Sequence, residues 1–365
     1  MCDFVNQNGD THLILVIISG NETEAINVIN RGNSHPEVVN SYGDTALLLA
    51  IHYSMVNLAN RILETNQANV SHVDKKRNTA LTLAIHKNLE KVARKILETN
   101  QSNVSHVDNH GNTALLLAIH YNMPDLAIRI LETNQANVSH VDKYENTALI
   151  LAINKNLEKV ARKMVDLYQD LNINHSDGNR DTALMVALIR NYQDIAQKIL
   201  DLGFKNVSVI NKKGDTSLFF AINTGNEHIA LQIFNMNNSS FEHVSNDQNT
   251  SLIMSINNGM VRLANEIIKK ASPSLIGHVN KENNTALILS ISKQFWDIAN
   301  LILDTKHSNA KHLNNYGDNA LLLSLSGGNL DIARKLLREP GVDIFYKGYS
   351  GVSAYDICKH NNFKL

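Results

Sequence analysis

Residues 113–122 read Thr-Ala-Leu-Leu-Leu-Ala-Ile-His-Tyr-Asn, and residues 45–53 carry the same first nine letters. The opening threonine, followed by Ala-Leu or a close variant, recurs at Thr79, Thr147, Thr182, Thr216, Thr250 and Thr285. Thr11 fits the same phase at the front, and Asn319 and Ser353 take the position at the back. The eleven anchors lie 34 residues apart, with two spacings of 35, over nearly all of the 365 residues. A fixed period in this range signals a stack of supersecondary units in place of one globular core.

The unit at Thr79 shows what each period encodes. The threonine hydroxyl can cap a helix by accepting from a first-turn N–H. Ala80, Leu81, Leu83, Ala84 and Ile85 then predict a short, mostly apolar helix. Nine residues after the anchor stands Asn88, with Gly20, Asn122, Asn156, Asn191, Gly225, Gly259, Gly328 and Asn362 in the same place. Gly and Asn tolerate the left-handed conformation that ends a helix; only Ser54 and Gln294 depart. A second helix follows, whose Val92, Ala93, Ile96 and Leu97 fall on one face. Its alanine recurs at Ala25, Ala59, Ala127, Ala161, Ala196, Ala230, Ala264, Ala299 and Ala333, which predicts close helix–helix approach. The polar stretch from Thr99 to Asn112 reads as an extended finger reaching to the next anchor.

Helix, tight turn, helix and polar finger together resemble the ankyrin-repeat family. Thr-Ala-Leu-x-x-Ala, as at 113–118, is similar to that family's Thr-Pro-Leu-His-x-Ala. The Asp or Asn five residues before the anchor (Asn40, Asp74, Asp108, Asp142, Asp177, Asn211, Asn280, Asn314) and glycines at 43, 111 and 214 also match. Ala replaces the usual Pro, an apolar residue or Thr82 the usual His, and the period exceeds the family's 33 by one, with Glu-Thr-Asn-Gln as the place of the extra residue. A tetratricopeptide array shares the 34-residue period, but it lacks so long a polar finger and carries large aromatics at fixed places. The resemblance implies an all-α solenoid of about ten helix-turn-helix repeats with polar finger loops. It forms one domain over 1–365, with an N-terminal cap over about 1–34 and a C-terminal half-repeat over about 345–365.

Composition narrows the function classes. A net charge of −1 creates no global field toward nucleic acid. Cys2 and Cys358 stand at opposite ends, so a disulfide framework is not expected and a reducing, cytoplasmic setting is. The apolar run Leu13–Ile18 is far too short to span a membrane. No Walker loop, dinucleotide fingerprint or His-Glu-x-x-His sequence is present. No enzymatic activity, cofactor or metal is therefore expected, and a monomer is.

Histidines recur seven residues before the anchor at His72, His106, His140, His175, His243, His278 and His312. Stacked units lie roughly 8–10 Å apart, whereas zinc needs ligands at about 2 Å. That geometry favours a structural finger histidine, bonding its own loop or the next one, over a metal ladder. Asn174 alone occupies the finger position that an asparaginyl hydroxylase modifies in some members of the resembled family.

The resemblance also implies that first helices and finger tips line a concave surface that receives a protein partner. It places there Tyr42, His52, Tyr53, Lys75, Lys76, Arg77, His86, Lys87, His110, His120, Tyr121, Tyr144 and Lys155. Amphipathic aromatics and cations of this kind are enriched at interface hot spots; the alternative is that they are ordinary solvated residues. A second candidate is a set of aromatics expected to be exposed near the C-terminal end, Trp296, Tyr316, Phe345, Tyr346 and Tyr349, with Trp296 alternatively packing on Gln294 and the next unit. Residues 45–98 and 113–166 are near copies, so function is expected where the copies differ or face outward. The expected function is protein–protein recognition as an adaptor, scaffold or inhibitor. The same surface would serve a delivered effector or host-range factor acting on a host protein, and an enzyme with an unrecognised site is the minor alternative.

Overall fold

The computed structural model describes residues 5–32, 34–236 and 241–364. Cys2 lies outside them. Twenty-two helices cover the described residues, joined by fingers whose β content is confined to isolated bridges such as Val107 with Thr113. The fold class is an all-α repeat solenoid. Contacts group the chain into two units, one of residues 1–178 and 194–202, the other of 179–193 and 203–365.

Within each unit the repeats are built alike. In the first, the helices Ala46–His52, Ala80–His86, Ala114–His120 and Ala148–Asn154 pack in series, each backed by its own second helix. In the second, Ser217–Asn223, Ser251–Asn257, Ala286–Ser292 and Ala320–Ser326 do the same. Every anchor is an N-cap: all eleven side chains, including Asn319 and Ser353, accept from the backbone N–H three residues on. All eleven are buried, so the cap also satisfies a polar group removed from water. At Thr79 the Thr82 hydroxyl accepts in return from the Thr79 N–H, 2.9 Å away, closing a capping box. The recurrent second-helix alanines are all fully buried.

The turn nine residues past the anchor is left-handed throughout, even where the residue type departs from the rule. Ser54 has φ of 59° and Gln294 φ of 60°, matching Asn88 at 58°. An L-residue held there costs about 1 kcal/mol relative to glycine. Gln294→Gly is therefore expected to raise stability by about 1 kcal/mol, measured by urea denaturation; a loss would show that the Gln side chain contributes more than its backbone costs.

The fingers interlock through the histidines. His72 Nε2 meets the Gly43 carbonyl at 2.9 Å, and His106, His140 and His175 meet the carbonyls of Arg77, Gly111 and Glu145 at 2.8, 2.9 and 2.7 Å. In the second unit His243, His278 and His312 reach Gly214, Gln248 and Asn283 at 2.9, 2.8 and 3.2 Å. The expected bond to its own loop or the next one is thus redirected. Each ring reaches the preceding finger, because that finger's left-handed residue turns its carbonyl outward. All seven acceptors have φ between 56° and 86°. Tyr346 holds the histidine's register before Ser353 and donates its hydroxyl to Gly317 O at 3.0 Å. It is half-buried, which corrects its expected exposure.

Inside fingers that carry Asp or Asn five before the anchor, that side chain closes an Asx turn, as at Asn40, Asp108, Asp142, Asn211, Asn280 and Asn314. Asp142 Oδ1 accepts from the N–H groups of Tyr144 and Asn146, both at 2.8 Å. At the front, Asn21 caps the helix Glu22–Asn30, whose Glu22 and Glu24 suit the positive end of the helix dipole. At the back, Ala354–Asn361 is the last helix among the described residues, and it ends in left-handed Asn362.

Candidate functional site

A groove of about 580 Å³ opens on the first unit, between the first helices of the repeats anchored at Thr45 and Thr79 and the fingers that precede Thr45, Thr79 and Thr113. Its floor is apolar: Leu48 and Leu49 are buried and Leu83 is half-buried. These leucines sit on the solvent-side edge of helices whose other faces are packed on neighbours. Tyr42 and Tyr53 form aromatic walls, with 60% and 47% of their surface exposed. Lys75, Lys76, Lys87, His52, His86 and His110 complete the polar lining together with Asp44, Asp74, Asn78 and Asn109.

Local chain geometry places these groups. His52 and His86 end their helices, where a basic side chain meets the negative end of the helix dipole. Tyr53, Lys87 and Tyr121 are the C-caps, and the left-handed turn just behind them stops the chain there. His86 is held on both ring nitrogens: Nε2 lies 3.0 Å from Asp108 Oδ2 and Nδ1 lies 3.3 Å from the Tyr121 hydroxyl. The Asp108 side chain is fully buried, and its other oxygen accepts from the N–H groups of His110 and Asn112 at 2.8 Å each. Asp74 is likewise engaged, accepting from Asn78 N at 2.7 Å and Asn78 Nδ2 at 2.9 Å. Lys75 Nζ reaches back to the Ser41 carbonyl at 2.5 Å.

Asp44 differs from the other two carboxylates. Burial and, after it, the nearby Asp74 push its pKa above the ordinary carboxylate value, against the pull of Lys76. Its folded form therefore holds a proton to higher pH than the unfolded chain does. Such a group lowers stability as pH rises through its folded pKa. Asp44→Asn is expected to raise the melting temperature at neutral pH, and the gain should vanish at pH values below the ordinary carboxylate range. A gain unchanged at acid pH would show that the raised pKa is not its cause.

Eight of the thirteen residues singled out from the sequence line this groove: Tyr42, His52, Tyr53, Lys75, Lys76, His86, Lys87 and His110. Tyr121 joins them through His86. The other four lie apart from the lining. Arg77 contributes its carbonyl to His106, and its side chain is exposed. Lys155 Nζ donates to the His120 carbonyl at 3.3 Å, and Tyr144 lies beneath Lys143 Nζ, 4.9 Å from its ring centroid. The leucine floor and the three aspartates were missed because in sequence they are ordinary helix and finger positions of the repeat. The fixed place of Asp108 was the available signal, but only the packing brings it to His86.

At the second candidate, Tyr316, Phe345 and Tyr349 are exposed. Trp296 is half-buried, its ring so close over the next repeat that a Cβ on Gly327 would lie 2.9 Å from it. The described residues contain no helix long and apolar enough to cross a membrane.

The family described as "Ankyrin repeats (3 copies)" matches residues 117–209 and 252–347, just over half of the chain. Among solved structures, the ankyrin repeat domain of Bcl-3, described as a unique member of the IkappaB protein family, is similar at 22% identity with a TM-score of 0.43. That likeness covers 59% of this chain and 95% of the other. Comparison with curated protein sequences returns no match.

Proposed function

The chain belongs to the ankyrin-repeat family, whose repeats form protein–protein interaction modules, and we propose that it holds its partner in the groove across the repeats anchored at Thr45, Thr79 and Thr113. The observation that carries this reading is the combination of an apolar floor, two exposed tyrosine walls and exposed cations on one continuous surface. Aromatic anchors over a partly dry floor are where binding energy concentrates. His120, Tyr121, Tyr144 and Lys155 are exposed as well. The protein would then act as a cytoplasmic adaptor, scaffold or inhibitor.

Replacing Tyr53 and Tyr121 together by alanine tests this. Capture of partners should fall by about tenfold or more, with the circular dichroism spectrum and melting temperature of the double variant near those of the parent. Unaltered capture by a folded variant would remove the groove as the binding surface.

A further inference from the structure

The polar lining of the groove is unequal in what it leaves available. Asp74 and Asp108 spend their oxygens on Asn78, on His86 and on backbone N–H groups of their own fingers. Such carboxylates have little left to offer a basic ligand. Lys76 and Lys87 are exposed in the lining, and neither makes a hydrogen bond or ion pair among the described residues. The remaining carboxylate, Asp44, is half-buried, whereas Lys75, Lys76 and Lys87 are exposed in the lining. The charges that face solvent in the groove are therefore those of lysines above a leucine floor.

The duplication shows that part of this charge, at the finger tip, is a local feature. In the copy, the equivalents of Lys76 and Arg77 are Tyr144 and Glu145, while Lys75 and Lys87 recur as Lys143 and Lys155 and the anchors and histidine register are retained. The repeat itself thus does not require a basic finger tip at this place.

Resting on the reading of this groove as the partner site, we propose that its occupant is an extended acidic segment of the partner protein, with carboxylates on Lys76 and Lys87 and an apolar side chain on Leu48, Leu49 and Leu83. Charge complementarity of this kind steers encounter and sets register, while the apolar contact holds the segment in place.

Fluorescence anisotropy on the full chain tests the proposal with three labelled probes: Asp-Leu-Asp-Glu-Leu-Glu, its counterpart with every acidic residue replaced by lysine, and a short thymidylate oligonucleotide. The acidic probe should bind saturably, and more weakly as salt rises from about 50 to about 500 mM. The double variant Lys76→Glu, Lys87→Glu should weaken it by about tenfold or more. The milder Lys76→Gln, Lys87→Gln should fall between, and Lys91→Glu, on the second helix of the same repeat, should leave it unchanged. Equal or tighter binding of the lysine probe would overturn the proposal, as would an acidic probe bound equally by the Glu variant. Tighter binding of the oligonucleotide would assign the charge to nucleic acid instead. If the acidic probe fails while the tyrosine variant still loses its captured partner, the groove stands and only its chemistry falls. If the tyrosine variant captures normally, the groove itself falls.

Discussion

Asp108→Ala is expected to lower stability by about 3 kcal/mol, more than any exposed substitution on the same finger. The carboxylate is fully buried and receives three bonds, from His86 Nε2 and from the N–H groups of His110 and Asn112. Removing it leaves two backbone donors without their acceptor and unfastens a histidine of the groove. Hydrogen bonds to a charged group contribute about 1.5–3 kcal/mol, and a buried donor left unpaired adds its own desolvation cost. Asp108→Asn is the informative companion, since its remaining oxygen can still accept from both N–H groups. It should recover much of the stability while altering the contact with His86. Chemical denaturation of the two variants, side by side, checks this; equal losses would mean that the finger turn does not depend on the acceptor.

The second large effect is expected at Ala127, fully buried on the helix Pro124–Glu132. The second helices of adjacent repeats pack directly on one another, and this helix meets both Glu90–Glu98 and Glu158–Leu167. Ala127→Leu adds three carbons where two helices approach, and overpacking costs about 1–3 kcal/mol or somewhat more. In a repeat array the damage should stay local, because each repeat is stabilised mainly by its neighbours. Hydrogen exchange should show faster exchange in the repeats anchored at Thr79, Thr113 and Thr147, with protection retained in helices such as Ala320–Ser326. Uniform loss of protection would indicate that the chain unfolds as one cooperative body.

The same two sites show what could be read in advance. The recurrence of alanine at one place in every second helix was legible as close packing, because a period makes each repeat a replicate of the others. The anchor hydroxyls were legible as caps for the same reason, and Ser54 and Gln294 adopt the left-handed turn although their residue types argue against it. There the stacking of neighbouring repeats overrides local preference. The finger histidines were legible as structural, but their partners were not. A register names the donor, whereas the acceptor is a carbonyl 29 or 30 residues earlier that only the stacked fingers expose. The groove was legible in its aromatics and cations and silent in its aspartates and leucines.

By itself, then, the amino-acid order determined the unit, its caps, its turns and the all-α stack, since those follow from interactions within a few residues repeated at a constant period. The tertiary structure alone decided which exposed residues share one surface and which charges on it remain available. His86 looks identical in kind to His52 and His120 along the chain. Only the approach of the next repeat sets it between Asp108 and Tyr121, and so links Tyr121 to the groove that the ends of the two preceding first helices line.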